Sequence, residues 1–114
     1  MSLTKGFAFE EIAKNYLIDK GLKYKSSNYR CKIGEIDLIM HDGVYLVFVE
    51  VRARNSSKYG NALESITLTK QTKIRNTADY YLLVNKLHEK YPVRFDVVSI
   101  QGNQPEIQWI KNAF

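Results

Sequence analysis

Apolar residues near the start of the chain recur at helical spacing. Phe9, Ile12, Ala13, Tyr16 and Leu17 fall on one stripe, which predicts a helix capped near Thr4, running to about Lys20 and stopped by Gly21. At about 100° per residue, Glu10 lies at the edge of that stripe and Glu11 points away from it. Two adjacent acids therefore have different surroundings: Glu11 is a solvated surface charge, and Glu10 can reach the interior. From Lys23 the pattern loses its helical period. Lys23–Arg30 reads as a short polar strand at or near an edge, Glu35–His41 as a second strand and Val44–Arg52 as a third, with Asp42-Gly43 as the hairpin turn between them. Arg54–Gly60 is polar and turn-rich and reads as a loop. Helical spacing returns over Leu68–Asn85, with Thr67 or Thr69 near the cap; Ile74, Ala78, Tyr81 and Leu82 form the buried stripe and Gln71 sits at its N-terminal end. Val93–Gln101 is a fourth strand and Glu106–Lys111 an optional fifth. The order is α-β-β-β-α-β, without internal repeat, low-complexity tract or interdomain linker.

Composition bounds this picture more than it sharpens it. A chain of 114 residues with 45% apolar content is one domain, 1–114, with a modest core. A lone cysteine, Cys31, makes no internal disulfide and offers no zinc framework. The opening residues lack the apolar stretch of a signal peptide, and no run approaches the ~20 apolar residues of a membrane-spanning helix. A soluble, cytoplasmic protein without a membrane partner is expected. Lysine and arginine number 17 against 12 acids, a formal charge of +5. That excess suits a polyanion such as nucleic acid, although many soluble proteins are as basic for no special reason.

The candidate chemistry lies in Gly34-Glu35-Ile36-Asp37-Leu38-Ile39 and Phe48-Val49-Glu50-Val51-Arg52. Strand side chains alternate, so Glu35, Asp37 and Ile39 share one face, as do Leu46, Phe48, Glu50 and Arg52 of the next strand. A turn at Asp42-Gly43 sets Glu35 opposite Glu50 with Asp37 on the diagonal; a register shifted by two sets Asp37 directly opposite Glu50. Either way three carboxylates converge. Opposed like charges are destabilising, and burial beside Ile39 and Phe48 adds to the cost. A divalent cation reverses that sign, because Mg²⁺ prefers oxygen ligands. A bound ion could polarise a phosphodiester or generate hydroxide from water, and Arg52 would place positive charge near the scissile phosphate. The alternative is an exposed strand carrying Glu35 and Asp37, with Glu50 paired to Arg52 or Arg54.

Several blocks in order give the chain a likeness to a known family. Gly6 and Glu10 with Ala13-x-x-Tyr16-Leu17 come first, then Asn28-Tyr29-Arg30 and the Gly34–Ile39 run. Phe48-Val49-Glu50-Val51-Arg52-x-Arg54, Gly60, Lys70-Gln71 and Arg94-Phe95-Asp96-Val97-Val98 follow. Together they resemble the YraN-like family of small bacterial proteins, related to archaeal Holliday junction resolvases. The resemblance implies a restriction-endonuclease-like α/β fold, an αβββαβ core with a mixed sheet flanked by helices. It also implies the metal site of the PD-(D/E)xK superfamily, holding Mg²⁺ or Mn²⁺. Asp37 matches the ligand aspartate and Glu50 the second ligand, with the Val51 carbonyl helping. Glu10 matches the first-helix glutamate that resolvases add, and Gln71 resembles a glutamine that some relatives place near the site. The superfamily's lysine is Arg52 here. Arginine stays protonated and cannot act as a general base, so it can only stabilise charge. The implied activity is metal-dependent cleavage of DNA, with branched structures as the analogous substrate and a homodimer as the analogous assembly. A nucleic-acid-binding module that retains the acids without cleaving is the alternative, and reuse of the scaffold for protein interaction a third reading.

Arg30, Lys32, Arg54, Lys58, Lys70 and Lys73, with Lys23 and Lys25, are candidates for a phosphate-binding rim; each is equally well a solvated surface charge. Tyr24, Tyr29 and Tyr59 could stack on bases, but packing on the sheet is the commoner use. Arg94 and Asp96 are expected to form a structural ion pair, His41 and His88 to lie at the surface, and Trp109 to anchor the C-terminal segment.

Overall fold

A computed structural model describes residues 2–54, 66–101 and 106–114. Its elements are α1 (Ser2–Asp19), β1 (Lys23–Arg30), β2 (Glu35–Asp42), β3 (Tyr45–Arg54), α2 (Leu68–Val84), β4 (Val93–Gln101) and β5 (Glu106–Ile110). One mixed α/β sheet runs β1-β2-β3-β4-β5, antiparallel except for the parallel pair β3–β4, which α2 connects. The polar β1 lies at one edge, as its composition predicts, and the fifth strand forms the other.

Each helix covers one face of the sheet. Ala13 and Leu17 of α1 are fully buried with Leu38, Met40, Val47, Val49, Val98 and Ile100, while Phe9, Ile12 and Tyr16 pack around them. Ile74, Ala78, Tyr81 and Leu82 of α2 bury against Ile39, Leu46, Phe48, Phe95 and Val97 on the other face. With both faces covered, β2 is buried from Ile36 to Met40 and loses the alternation of a half-exposed strand.

Three differences from the sequence expectation are larger than one residue at an element's end. Helix α1 begins at Ser2, so Thr4 lies inside its first turn rather than at its cap. Its end is as expected: Gly21 takes φ +101°, donates to the Ile18 carbonyl at 3.0 Å, and Leu22 donates to Leu17 at 3.0 Å, a Schellman ending closed by the buried Leu17 and Leu22. Strand β3 runs on to Arg54, where a loop was expected to begin. The rest of that loop, including Lys58, Tyr59 and Gly60, lies outside the described residues, as does the Arg54 side chain.

The third difference moves the site. The hairpin turns at Gly43-Val44, and Asp42 pairs with Tyr45 as the last strand residues. Gly43 holds φ +60° at the first turn position, the glycine placement of a type II′ turn. Asp42 is thereby kept in the strand, where it accepts from Arg94 Nη2 at 2.8 Å.

Gly34, in the turn before β2, packs closely on α2. A Cβ there would lie 2.9 Å from Thr77 Oγ1, which is itself fixed by donating to the Lys73 carbonyl at 2.7 Å. Gly34→Ala should therefore destabilise by about 1–3 kcal/mol in urea unfolding, the usual range for overpacking. Thr77→Ala in the same chain should recover part of that loss, because the clashing oxygen is gone; a purely additive loss would contradict the contact.

Candidate metal and nucleic-acid site

The observed hairpin register pairs Leu38 with Val49 and Ile39 with Phe48. Continued by one step, it sets Asp37 opposite Glu50, the shifted register weighed above; the directly counted pairing of Glu35 with Glu50 is thus corrected. The two facing acids join: a hydrogen bond links the Asp37 and Glu50 side chains. Burial, first, and then this bond and the Asp37 charge push the Glu50 carboxyl up to about 9, against the opposing pull of Arg52 and Lys70. Asp37 is buried, and its Oδ2 accepts from the Val51 amide at 2.8 Å. Glu50 is thus bonded to a second acid, and the attraction of Arg52 is outweighed.

Glu10 reaches this centre from α1. Burial first, and then the charge of Asp37, raise its carboxyl pKa, while the Asn28 side chain supports the ionised form. Its Oε1 is buried and takes no hydrogen bond among the described residues. Glu11, one residue on, forms a surface ion pair with Lys14 at 3.0 Å, as the helical phase predicts.

A cleft of about 420 Å³ opens over the pair, lined by Gly34, Glu35, Asp37, Glu50, Val51, Arg52, Lys70, Lys73 and Ile74. Acids form one wall and the basic first turns of α2 the other. Glu35 lines the cleft but belongs to a different pairing, bonding Arg30 Nε at 2.8 Å on a largely exposed surface. Such an exposed pair contributes roughly 0.2–1 kcal/mol, so little holds Glu35 away from a competing cation. Lys32 is exposed in the turn leading to Gly34. Lys23 and Lys25 act on His41, at the opposite end of β2 from Glu35, and are not among the cleft-lining residues.

Gln71 is not brought to the cleft. Its Nε2 donates to the Ile66 carbonyl at 3.2 Å and secures the entry to α2, whose N-cap is Thr67. Tyr29 packs edge-on against Tyr81 at 4.9 Å, a core contact. Tyr24 is more exposed, with Lys14 over its ring at 4.9 Å. Arg94 and Asp96 do form the expected ion pair, and Trp109 donates to Asp96 Oδ2 at 2.9 Å. His88 is exposed; His41, expected at the surface, is half-buried edge-on to Tyr91. Thr77 carries a contact that the sequence pattern does not single out, and Asn28 enters the sequence reading only within the Asn28-Tyr29-Arg30 block, without a role of its own.

The donors suit a hard divalent cation to a definite extent. Among the described residues no group of three or more His, Cys, Asp or Glu forms a ready ligand set. Mg²⁺, however, is commonly held by one or two carboxylates and keeps several waters. Asp37 and Glu50 supply two, the Glu10 Oε1 has an unmet need for a partner, and the proton on Glu50 occupies the role a cation would take.

Among the described residues no helix is long and apolar enough to cross a membrane. The family model described as "Uncharacterised protein family UPF0102" matches residues 9–100. A UPF0102 protein of Legionella pneumophila is 47% identical over 114 residues, all of this chain and 97% of the relative. One from Lachnoclostridium phytofermentans is 49% identical over 110 residues, 96% of this chain and 92% of the relative. A third, from Aeromonas hydrophila, is 46% identical over 112 residues, 97% of this chain and 85% of the relative. The family match includes Glu10, Glu35, Asp37, Glu50, Lys70 and Lys73, and the chain belongs to the UPF0102 family.

Proposed function

We propose that this chain is a metal-dependent nuclease with a restriction-endonuclease-like core, acting on phosphodiester bonds of DNA. The observation that carries the reading is the pairing of the buried Asp37 carboxyl with the half-buried Glu50 carboxyl in a cleft whose opposite wall is basic. Retaining two acids in contact, with one forced to keep its proton to about pH 9, is costly for stability alone and useful for holding a cation. Asp37, Glu50 and the Val51 carbonyl would hold Mg²⁺ or Mn²⁺, with Glu10 and, once released from Arg30, Glu35 completing the acidic wall. The chemistry such an ion supplies is Lewis acidity toward a phosphoryl oxygen and toward water. Lys70 and Lys73 would seat the phosphate backbone, extended at the rim by Arg30, Lys32, Arg54 and Lys58. Arg52 would stabilise charge developing on the phosphate without moving a proton. Branched DNA as substrate, a homodimer as assembly and the cytoplasm as location complete the proposal.

The second reading is a binding module without turnover. It is favoured by Arg52 at the strand position where a titratable lysine would stand. Incubation with single-stranded, duplex and four-way-junction DNA, with and without Mg²⁺ or Mn²⁺, separates the two. Metal-dependent cleavage that Asp37→Asn abolishes supports the nuclease; binding without cleavage leaves the module.

Either reading predicts salt-sensitive binding. Lys70→Ala and Lys73→Ala should each weaken affinity evenly across sequences and reduce the slope of log K against log salt by about one. Slopes unchanged in both variants would remove α2 from the interface.

A further inference from the structure

The ladder between β1 and β2 shifts register between Tyr24 and Ser26, and from Ser26 to Arg30 it keeps one register with a single gap. Ser27 pairs with Leu38 and Tyr29 with Ile36, yet the position between, where Asn28 would face Asp37, drops out of the ladder. Asn28 is the residue of β1 with a left-handed backbone, φ +54°. Asparagine tolerates that conformation better than most residues, but it is unusual inside a strand.

The consequence shows in the packing. Residues 36 and 38 of a regular strand would point to the same face. Here Leu38 belongs to the core beneath α1, and Ile36 to the core beneath α2, with Tyr29 packed beside it. The strand pair rolls over between them, and Asp37 sits at the roll. An acid on one face of a flat sheet could meet groups from only one helix. At the roll, Asp37 acts on Glu10 of α1 and bonds to Glu50, which also feels Lys70 of α2. Asn28 lies across from Asp37, and its side-chain amide donates to the Glu10 carboxylate.

We propose that Asn28 is a positioning residue for the metal site: its left-handed backbone opens the β1–β2 ladder at Asp37, and its amide aims Glu10 into the opening. This rests on the metal-site reading above. It assigns to Asn28 no contact with substrate.

Asn28→Gly is the informative variant, because glycine adopts φ +54° without steric cost while the side-chain amide is lost. Mn²⁺ affinity, measured by calorimetry on the full chain, is compared in four proteins: parent, Asn28→Gly, Glu10→Gln and the double variant. Loss of an outer-shell partner lowers metal affinity by about 10–100-fold. A drop of at least about tenfold is expected in the parent background, and less than about twofold when Glu10 is already glutamine. A melting curve checks that Asn28→Gly remains folded. Equal drops in both backgrounds, unchanged affinity, or a collapsed fold would each overturn the role of Asn28 while leaving the metal site standing. No Mn²⁺ binding by the parent would overturn the metal-site reading itself.

Discussion

Glu50→Gln will cost the protein its divalent-cation affinity while leaving its metal-free stability intact or improved. Glutamine keeps the shape of the side chain and offers an N–H to Asp37 in place of the proton that Glu50 now holds. Loss of a ligand should exceed the roughly 10–100-fold penalty typical of outer-shell changes. DNA binding should survive, since a group near the phosphates can no longer become negative. The pH dependence follows from the raised pKa. The unfolded chain releases the Glu50 proton near 4.5, and the folded chain holds it to about 9. The favourable contribution of the protonated group is therefore complete below about 4.5 and is lost as pH rises through about 9. Urea unfolding without metal should show parent and variant alike at pH 5, with the variant ahead at pH 8 by on the order of a few kcal/mol. Metal affinity of the parent should rise with pH by up to tenfold per unit over the same window, because binding displaces the proton. A variant less stable than the parent at both pH values would mean that Glu50 is held ionised against an arginine instead.

A second large effect lies on the α1 face, at the other end of the sheet from Glu35. Asp96 is fully buried and receives Arg94 Nε at 2.9 Å, Arg94 Nη2 at 2.8 Å, Trp109 Nε1 at 2.9 Å and the Asn112 amide at 2.9 Å. These bonds tie the fifth strand and the turn after it to β4. Asp96→Ala would leave the Trp109 and Asn112 donors without their acceptor, while Arg94 retains Asp42 and its place over the Tyr45 ring. Removing one partner of a buried pair costs about 3–5 kcal/mol. Against a total stability of about 5–15 kcal/mol, that is a large fraction of the fold. The Asp42 contact should keep the loss at the lower end of the range. Chemical denaturation measures it; a loss under about 1 kcal/mol would show that the network contributes little.

The contrast between these two buried aspartates also explains what the amino-acid pattern made legible. Asp96 next to Phe95 and Val97 could be matched with Arg94 from strand alternation alone, and the ion pair formed. The convergence of Asp37 and Glu50 was legible for the same reason, since shifting a hairpin register by two residues preserves the face. Which register forms was not. Asp-Gly favours both central turn positions by local chemistry, but Asp42 gains a 2.8 Å ion pair with Arg94, 52 residues away, by staying in the strand. That shift also carries Glu35 past the position opposite Glu50, and it pairs with Arg30. The phase of α1 correctly separated Glu10 from Glu11. Gln71 lay at the right phase of α2, yet the unmet carbonyl of Ile66 claims its amide, a demand created by the fold. Asn28 left only a faint trace, because a single left-handed residue alters strand faces without altering the alternation of apolar residues around it.

The site itself is tested most directly by anomalous diffraction from crystals of the protein grown with Mn²⁺. The expected result is one strong peak between the Asp37 and Glu50 carboxylates, at about 2.1 Å from an oxygen of each, that is absent in Glu50→Gln crystals grown in the same way. A map with no peak between these carboxylates at millimolar Mn²⁺, or with one that persists in Glu50→Gln, would contradict the assignment of this pair as the metal site.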